Sequence, residues 1–164
     1  MTRPRVLLLA CGNPSRGDDA IGPLLAQRAE TLAESPDCGC TLQCVVAFQF
    51  QVEHALDFRD RDLVLLADAS ASAAVPFSFV RVRDEARLAH TSHAAAPGLL
   101  LAAFRQVEGR EAPPTFVLAV RGEQFDLGAP LSPAGERHLA AADAFLAELL
   151  RRPSAAAWSD RAAA

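Results

Sequence analysis

The chain has 164 residues, 51% of them hydrophobic, and a formal charge of −4. That length suits one domain with a sizeable core, the acid excess argues against a nucleic-acid footprint, and no apolar run approaches the ~18 residues of a membrane span. All 16 basic residues are Arg, which with the abundant Ala points to GC-rich coding, so neither residue type carries functional weight.

Met1 to Arg5 lead into an apolar run too short for a signal peptide, so the chain reads as cytoplasmic. Arg5 to Cys11 has the character of a buried parallel strand. Gly12-Asn13-Pro14-Ser15 breaks it, because Gly tolerates positive φ and Asn-Pro favours a turn. Ile21, Leu24, Leu25, Arg28 and Leu32 then recur at helical spacing. Pro23 belongs in a first turn, which starts that helix near Asp19 or Ala20 and ends it by Glu34, before Ser35-Pro36-Asp37. Asp18 and Asp19 thus stand where a strand turns into a helix, at the edge of an α/β sheet where ligands bind. They have three readings. Asp18 caps the helix while Asp19 complements its dipole. A Gly-rich loop cradles a phosphate, against which stand the wrong glycine spacing and two repelling charges. Or a carboxylate holds a hard or borderline cation, with further ligands from elsewhere.

Cys11, Cys38, Cys40 and Cys44 read as free thiols in a reducing compartment, and the last three lack the second Cys pair or His that a zinc site needs. Thr41 to Phe48 is a second strand, and Gln49 to Leu56 a loop opening a short helix, with His54 on its surface. Asp62 to Ala69 is a third strand, an apolar run that carries Asp68 to the carboxyl edge of the sheet. Asp68 could cap a turn made with Ser70 and Ser72. Phe77 to Arg83 alternates with period two and follows too closely for a helical crossover, so it is expected to be antiparallel and at an edge. His90-Thr91-Ser92-His93 precedes a helix carrying Leu99 to Leu101, Ala103 and Phe104. Pro113-Pro114 resets the chain, Thr115 to Val120 is the last strand, and Ser132 caps a final helix with Pro133 at its first position, running to about Arg151. Residues 153–164 read as a disordered tail, leaving 1–152 as the domain.

Gly12-Asn13, a four-residue gap and Asp18-Asp19-Ala20-Ile21-Gly22 resemble the G-x-G-N-x4-D-[DE]-[GA]-x-G signature of the hydrogenase maturation endopeptidases. Ala10 stands where that family usually has its first Gly. The apolar strand ending in Asp68, the Ser92-His93 pair at a helix start and Leu131-Ser132-Pro133 opening the last helix are similar to the family as well. Ala47-Phe48-Gln49-Phe50 replaces the Asp-Gly-Gly-Thr run of many members, and Gln49 with Glu53 looks like a variant branch. The resemblance covers roughly residues 5 to 150.

The order of elements implies a three-layer α/β sandwich with a mostly parallel five-stranded sheet and helices on both faces. The resemblance implies that Asp19, Asp68 and His93 are metal ligands and carry the catalysis; His90 is either a bystander or a support to those ligands. It implies an endopeptidase that removes the C-terminal extension of a [NiFe] hydrogenase large-subunit precursor after nickel insertion. By the same resemblance the nickel is expected to come with the precursor, and the protein is expected to hold no tightly bound cofactor. No nucleic acid or membrane insertion is expected. Two other readings remain: a non-catalytic anion- or nucleotide-binding module, and a chaperone of the hydrogenase precursor.

Overall fold

A computed structural model describes residues 2–83 and 95–163. Its elements are β1 (Arg5–Cys11), a 3-10 turn (Gly17–Ala20), α1 (Ile21–Ala33), β2 (Thr41–Ala47), a second 3-10 segment (Val52–Phe58), β3 (Leu63–Ser70), β4 (Phe77–Arg81), α2 (Ala95–Glu108), β5 (Thr115–Arg121), α3 (Pro133–Arg151) and α4 (Ala155–Arg161). The sheet has the order β2-β1-β3-β5-β4. All neighbours are parallel except β4, which pairs antiparallel with β5 at the edge, as its spacing from β3 requires.

Period-two alternation divides the sheet's side chains between two cores. Val6, Leu8 and Ala10 of β1 and Leu65, Ala67 and Ala69 of β3 meet Ile21, Leu25 and Ala29 of α1 and Leu139 and Leu146 of α3. Leu7, Leu9, Val64 and Leu66 face the other way, against Ala55 and Phe58 of the second 3-10 segment and Leu100, Leu101 and Phe104 of α2. Helices therefore cover both faces. The chain leaves β1 toward β2 on one side and later returns to β3 on the other, so the order reverses between β1 and β3. That switch point opens a crevice at the carboxyl ends of these two strands.

Two expectations need correction. The first helix does not begin at Asp19: Gly17–Ala20 form a 3-10 turn and α1 starts at Ile21. Within the expected disordered tail 153–164, the described residues 153–163 are ordered. Ser154 caps α4 by accepting from the Ala157 amide, and Trp158 is buried, its indole N–H donating to the Leu149 carbonyl at 3.0 Å. The Trp158 ring meets Phe116 and Phe79 edge-on, at 5.3 and 6.4 Å between centroids. Low complexity around one Trp concealed an anchor strong enough to order the segment.

Candidate active site

The turn after β1 is held by contacts that only glycine permits. Gly12 has φ 150°, and a Cβ there would lie 1.9 Å from the Asp19 carbonyl oxygen. A Cβ on Gly22 would lie 2.0 Å from the Cys11 carbonyl oxygen. The end of β1 and the start of α1 are thereby pressed together, and the signature's glycines have a steric reason. Within the turn, Asn13 Oδ1 accepts from the Ser15 amide at 2.9 Å, and the Asn13 amide donates to Asp19 Oδ2 at 2.7 Å. One oxygen of Asp19 is thus fixed and its carboxylate is only half-buried.

Asp68 stands one strand over. Its Oδ1 accepts from the Ala69 amide at 2.8 Å, and the side chain is half-buried. By strand alternation it belongs to the α2 side of the sheet, as does Cys11, which follows Leu7 and Leu9 on that face. Burial, and then the negative charge of Asp19, push the Asp68 carboxyl up to about 7, against the opposing pull of the Ala69 N–H. Burial, followed by the charges of Asp68 and Asp19, likewise pushes the Cys11 thiol far above the ordinary thiol range. Cys11 is therefore a protonated, buried neighbour and not a nucleophile. The charge of Asp19 is felt by both Asp68 and Cys11, which puts the two acids near one another at the β1–β3 switch point.

Two close carboxylates, one carrying a proton near neutrality, suit a divalent cation that would displace that proton. They supply only part of a coordination sphere. Among the described residues no group of three or more His, Cys, Asp or Glu side chains is arranged to hold a metal ion. The third candidate ligand, His93, and its neighbour His90 lie outside the described residues.

Asp18 does not cap α1: neither the 3-10 turn nor α1 has a side-chain cap. Its carboxylate is fully buried and turned toward the loop between β5 and α3. Oδ2 accepts from the Glu123 amide at 2.7 Å, the Gln124 amide at 3.1 Å and the Ser132 hydroxyl at 2.6 Å, while Oδ1 accepts from the Ser132 amide at 2.8 Å. Burial alone would raise this carboxyl, but the Ser132 hydroxyl and the three amides together hold it below the usual range. Ser70 makes its own turn with Ser72, whose amide donates to the Ser70 hydroxyl at 3.2 Å, so Asp68 is not needed for it. His54 is half-buried and caps its segment, its Nδ1 accepting from the Gln51 amide at 2.8 Å. All four cysteines carry free thiols, with Cys38 and Cys40 buried beneath α3.

No protein-family model matches the sequence, and no curated protein sequence matches it. Solved structures do. The hydrogenase maturating endopeptidase HybD of E. coli superposes with a TM-score of 0.68 at 23% identity, over 91% of this chain and 93% of that one. The [NiFe] hydrogenase maturation protease HycI of Thermococcus kodakarensis KOD1 gives 0.64 at 20% identity, over 92% and 94%. The hydrogenase 2 maturation peptidase of a Thaumarchaeota archaeon gives 0.61 at 19%, over 89% and 97%. Across nearly its whole length, the chain has the fold of the hydrogenase maturation proteases.

Proposed function

We propose that this chain is an endopeptidase that removes the C-terminal extension of a [NiFe] hydrogenase large-subunit precursor once nickel has been inserted. The observation that carries the reading is the meeting of Asp19 and Asp68 at the switch point of this fold. The neighbours of the same fold are named as hydrogenase maturation proteases, and the Gly12-Asn13 and Asp18-Asp19 spacing points the same way.

In this reading Asp19, Asp68 and His93 together receive the nickel that the precursor brings as part of the substrate. Nickel so placed would polarise the scissile carbonyl or a water. Asp19 is pre-set for the task, since the Asn13 amide fixes the carboxylate through Oδ2. Asp68, pushed up to about 7 by burial and by Asp19, is about half protonated near neutrality and would give up that proton to a dication. Cys11, buried and protonated below them, competes for nothing.

The test is cleavage of purified nickel-loaded precursor by this chain alone, followed by mass spectrometry of the large subunit. Loss of a C-terminal peptide is the expected result, abolished in His93→Ala without a change in melting temperature. An intact precursor after prolonged incubation overturns the reading.

A further inference from the structure

Asp18 lies next in sequence to Asp19, yet its carboxylate serves another part of the molecule. It is 0% exposed and accepts four hydrogen bonds, all from the segment between β5 and α3. Backbone contacts reinforce the join. The Asp18 amide donates to the Gln124 carbonyl at 2.7 Å, the Gly17 amide to the Ala129 carbonyl at 3.0 Å, and the Gly128 amide to the Ser15 carbonyl at 2.7 Å. The Ser132 hydroxyl that donates to Asp18 also accepts from the Gly135 amide, tying the start of α3 into the same knot. Gly135 faces the carboxylate so closely that a Cβ there would lie 2.2 Å from Asp18 Oδ1.

A buried carboxylate in a site shaped this closely is more than a surface turn needs. Stability could have been obtained with a neutral side chain, whereas a charge whose acceptor capacity is filled by a single loop fixes that loop's position. The loop it fixes runs along the carboxyl edge of the sheet, beside the turn that carries Asp19, and bears Leu127, which is 68% exposed. We propose that Asp18 is a positioning residue, clamping the 122–132 loop to the Asp19 turn so that the two form one rigid wall against which the precursor is held. This rests on the endopeptidase reading for its substrate, but the clamp itself does not.

Asp18→Asn keeps the size while turning an N–H2 donor toward groups that are themselves donors. Two readouts follow. Amide hydrogen exchange should show Glu123, Gln124 and Ser132 losing protection by about tenfold or more, with the core strands unchanged. Steady-state cleavage of nickel-loaded precursor, measured well below the variant's melting temperature, should show KM raised by about tenfold with kcat largely kept. A merely structural role would lower the folded fraction and leave KM alone. Ser132→Ala, which removes one of the four donors, should move both readouts in the same direction by less, and it serves if Asp18→Asn does not fold. Unchanged exchange at the three amides overturns the clamp, and an unchanged KM in a folded variant overturns its role in holding substrate. Wild-type protein that does not cleave the precursor at all removes the endopeptidase reading and that role with it, while the exchange result still decides the clamp.

Discussion

At the scale of single residues, Asp18, Asp19 and Asp68 show how position in the fold divides one chemical group into three roles. Asp18 is saturated with donors and held charged, Asp19 is half-committed, and Asp68 is raised to about 7 by burial and by Asp19. The signs of the two shifts oppose each other. Asp68 has a folded value above its unfolded one, so its contribution to stability is full below about pH 4 and is lost as pH rises toward 7. This amounts to up to about 4 kcal/mol across that window. Asp18 is depressed, so its contribution is present above the ordinary carboxylate range and is lost as pH falls through its lower folded value. Asp68→Asn removes the first effect while keeping an oxygen for the Ala69 amide. The variant should therefore melt no lower than wild type at pH 8, and its melting temperature should change less between pH 5 and 8, while precursor processing is abolished. Thermal melts at the two pH values and a processing assay check this, and a variant that is both destabilised at pH 8 and still active would count against it. Asp19 and Asp68 could be picked out in sequence through the resemblance to the maturation endopeptidases, while their places near the carboxyl ends of β1 and β3 left capping and turn readings open. Asp18 could not, because its partners are 105 to 114 residues away in the chain and its sequence neighbours suggest a helix cap.

At the scale of elements, the strands and long helices were legible because their signals are local. Apolar runs gave β1 and β3, the close spacing of β4 to β3 gave its antiparallel edge position, and Ser132-Pro133 marked the start of α3. The C-terminal helix was not legible, since its order depends on one side chain meeting a distant cluster. Trp158→Ala should accordingly cost about 3–5 kcal/mol in denaturant unfolding, from lost apolar burial, lost aromatic contacts and an orphaned Leu149 carbonyl partner. Removal of residues 153–164 should cost a similar amount, and no change for either would show α4 to be incidental. The junction of β1 and α1 is tighter still. Gly22→Ala drives a methyl into the Cys11 carbonyl, where backbone meets backbone and neither can turn aside. It should destabilise by more than about 2 kcal/mol and depress processing, because any shift that relieves the clash moves the turn bearing Asp19. Unfolding and processing measured on the same preparation separate the two effects.

At the scale of the whole molecule, the doubly covered sheet makes a rigid frame that presents two acids at a crevice, and in the proposed reading most of the nickel's coordination would come from the precursor. The physics of that arrangement sets its behaviour toward free nickel. At pH 7 Asp68 is about half protonated, so a dication must displace a proton before it gains the second carboxylate. No thiolate stands ready, because Cys11 is held protonated by burial and by the two acids. Affinity for free nickel should therefore be weak, rising by at least about tenfold per pH unit below 7, since Asp68 alone has one proton to displace and an imidazole ligand must be neutral as well. In the proposed reading, a nickel ion already bound by the precursor would meet no such handicap, since it would arrive with part of its coordination in place. The isolated protein should then carry little metal, nickel-loaded precursor should be cleaved, and nickel-free precursor should not. Metal analysis of the purified chain, nickel titration at several pH values and parallel cleavage of the two precursor forms decide the matter. Stoichiometric metal in the isolated chain, with equal cleavage of both forms, would make this a self-contained metalloprotease, whose specificity would have to come from the protein surface instead of from the nickel.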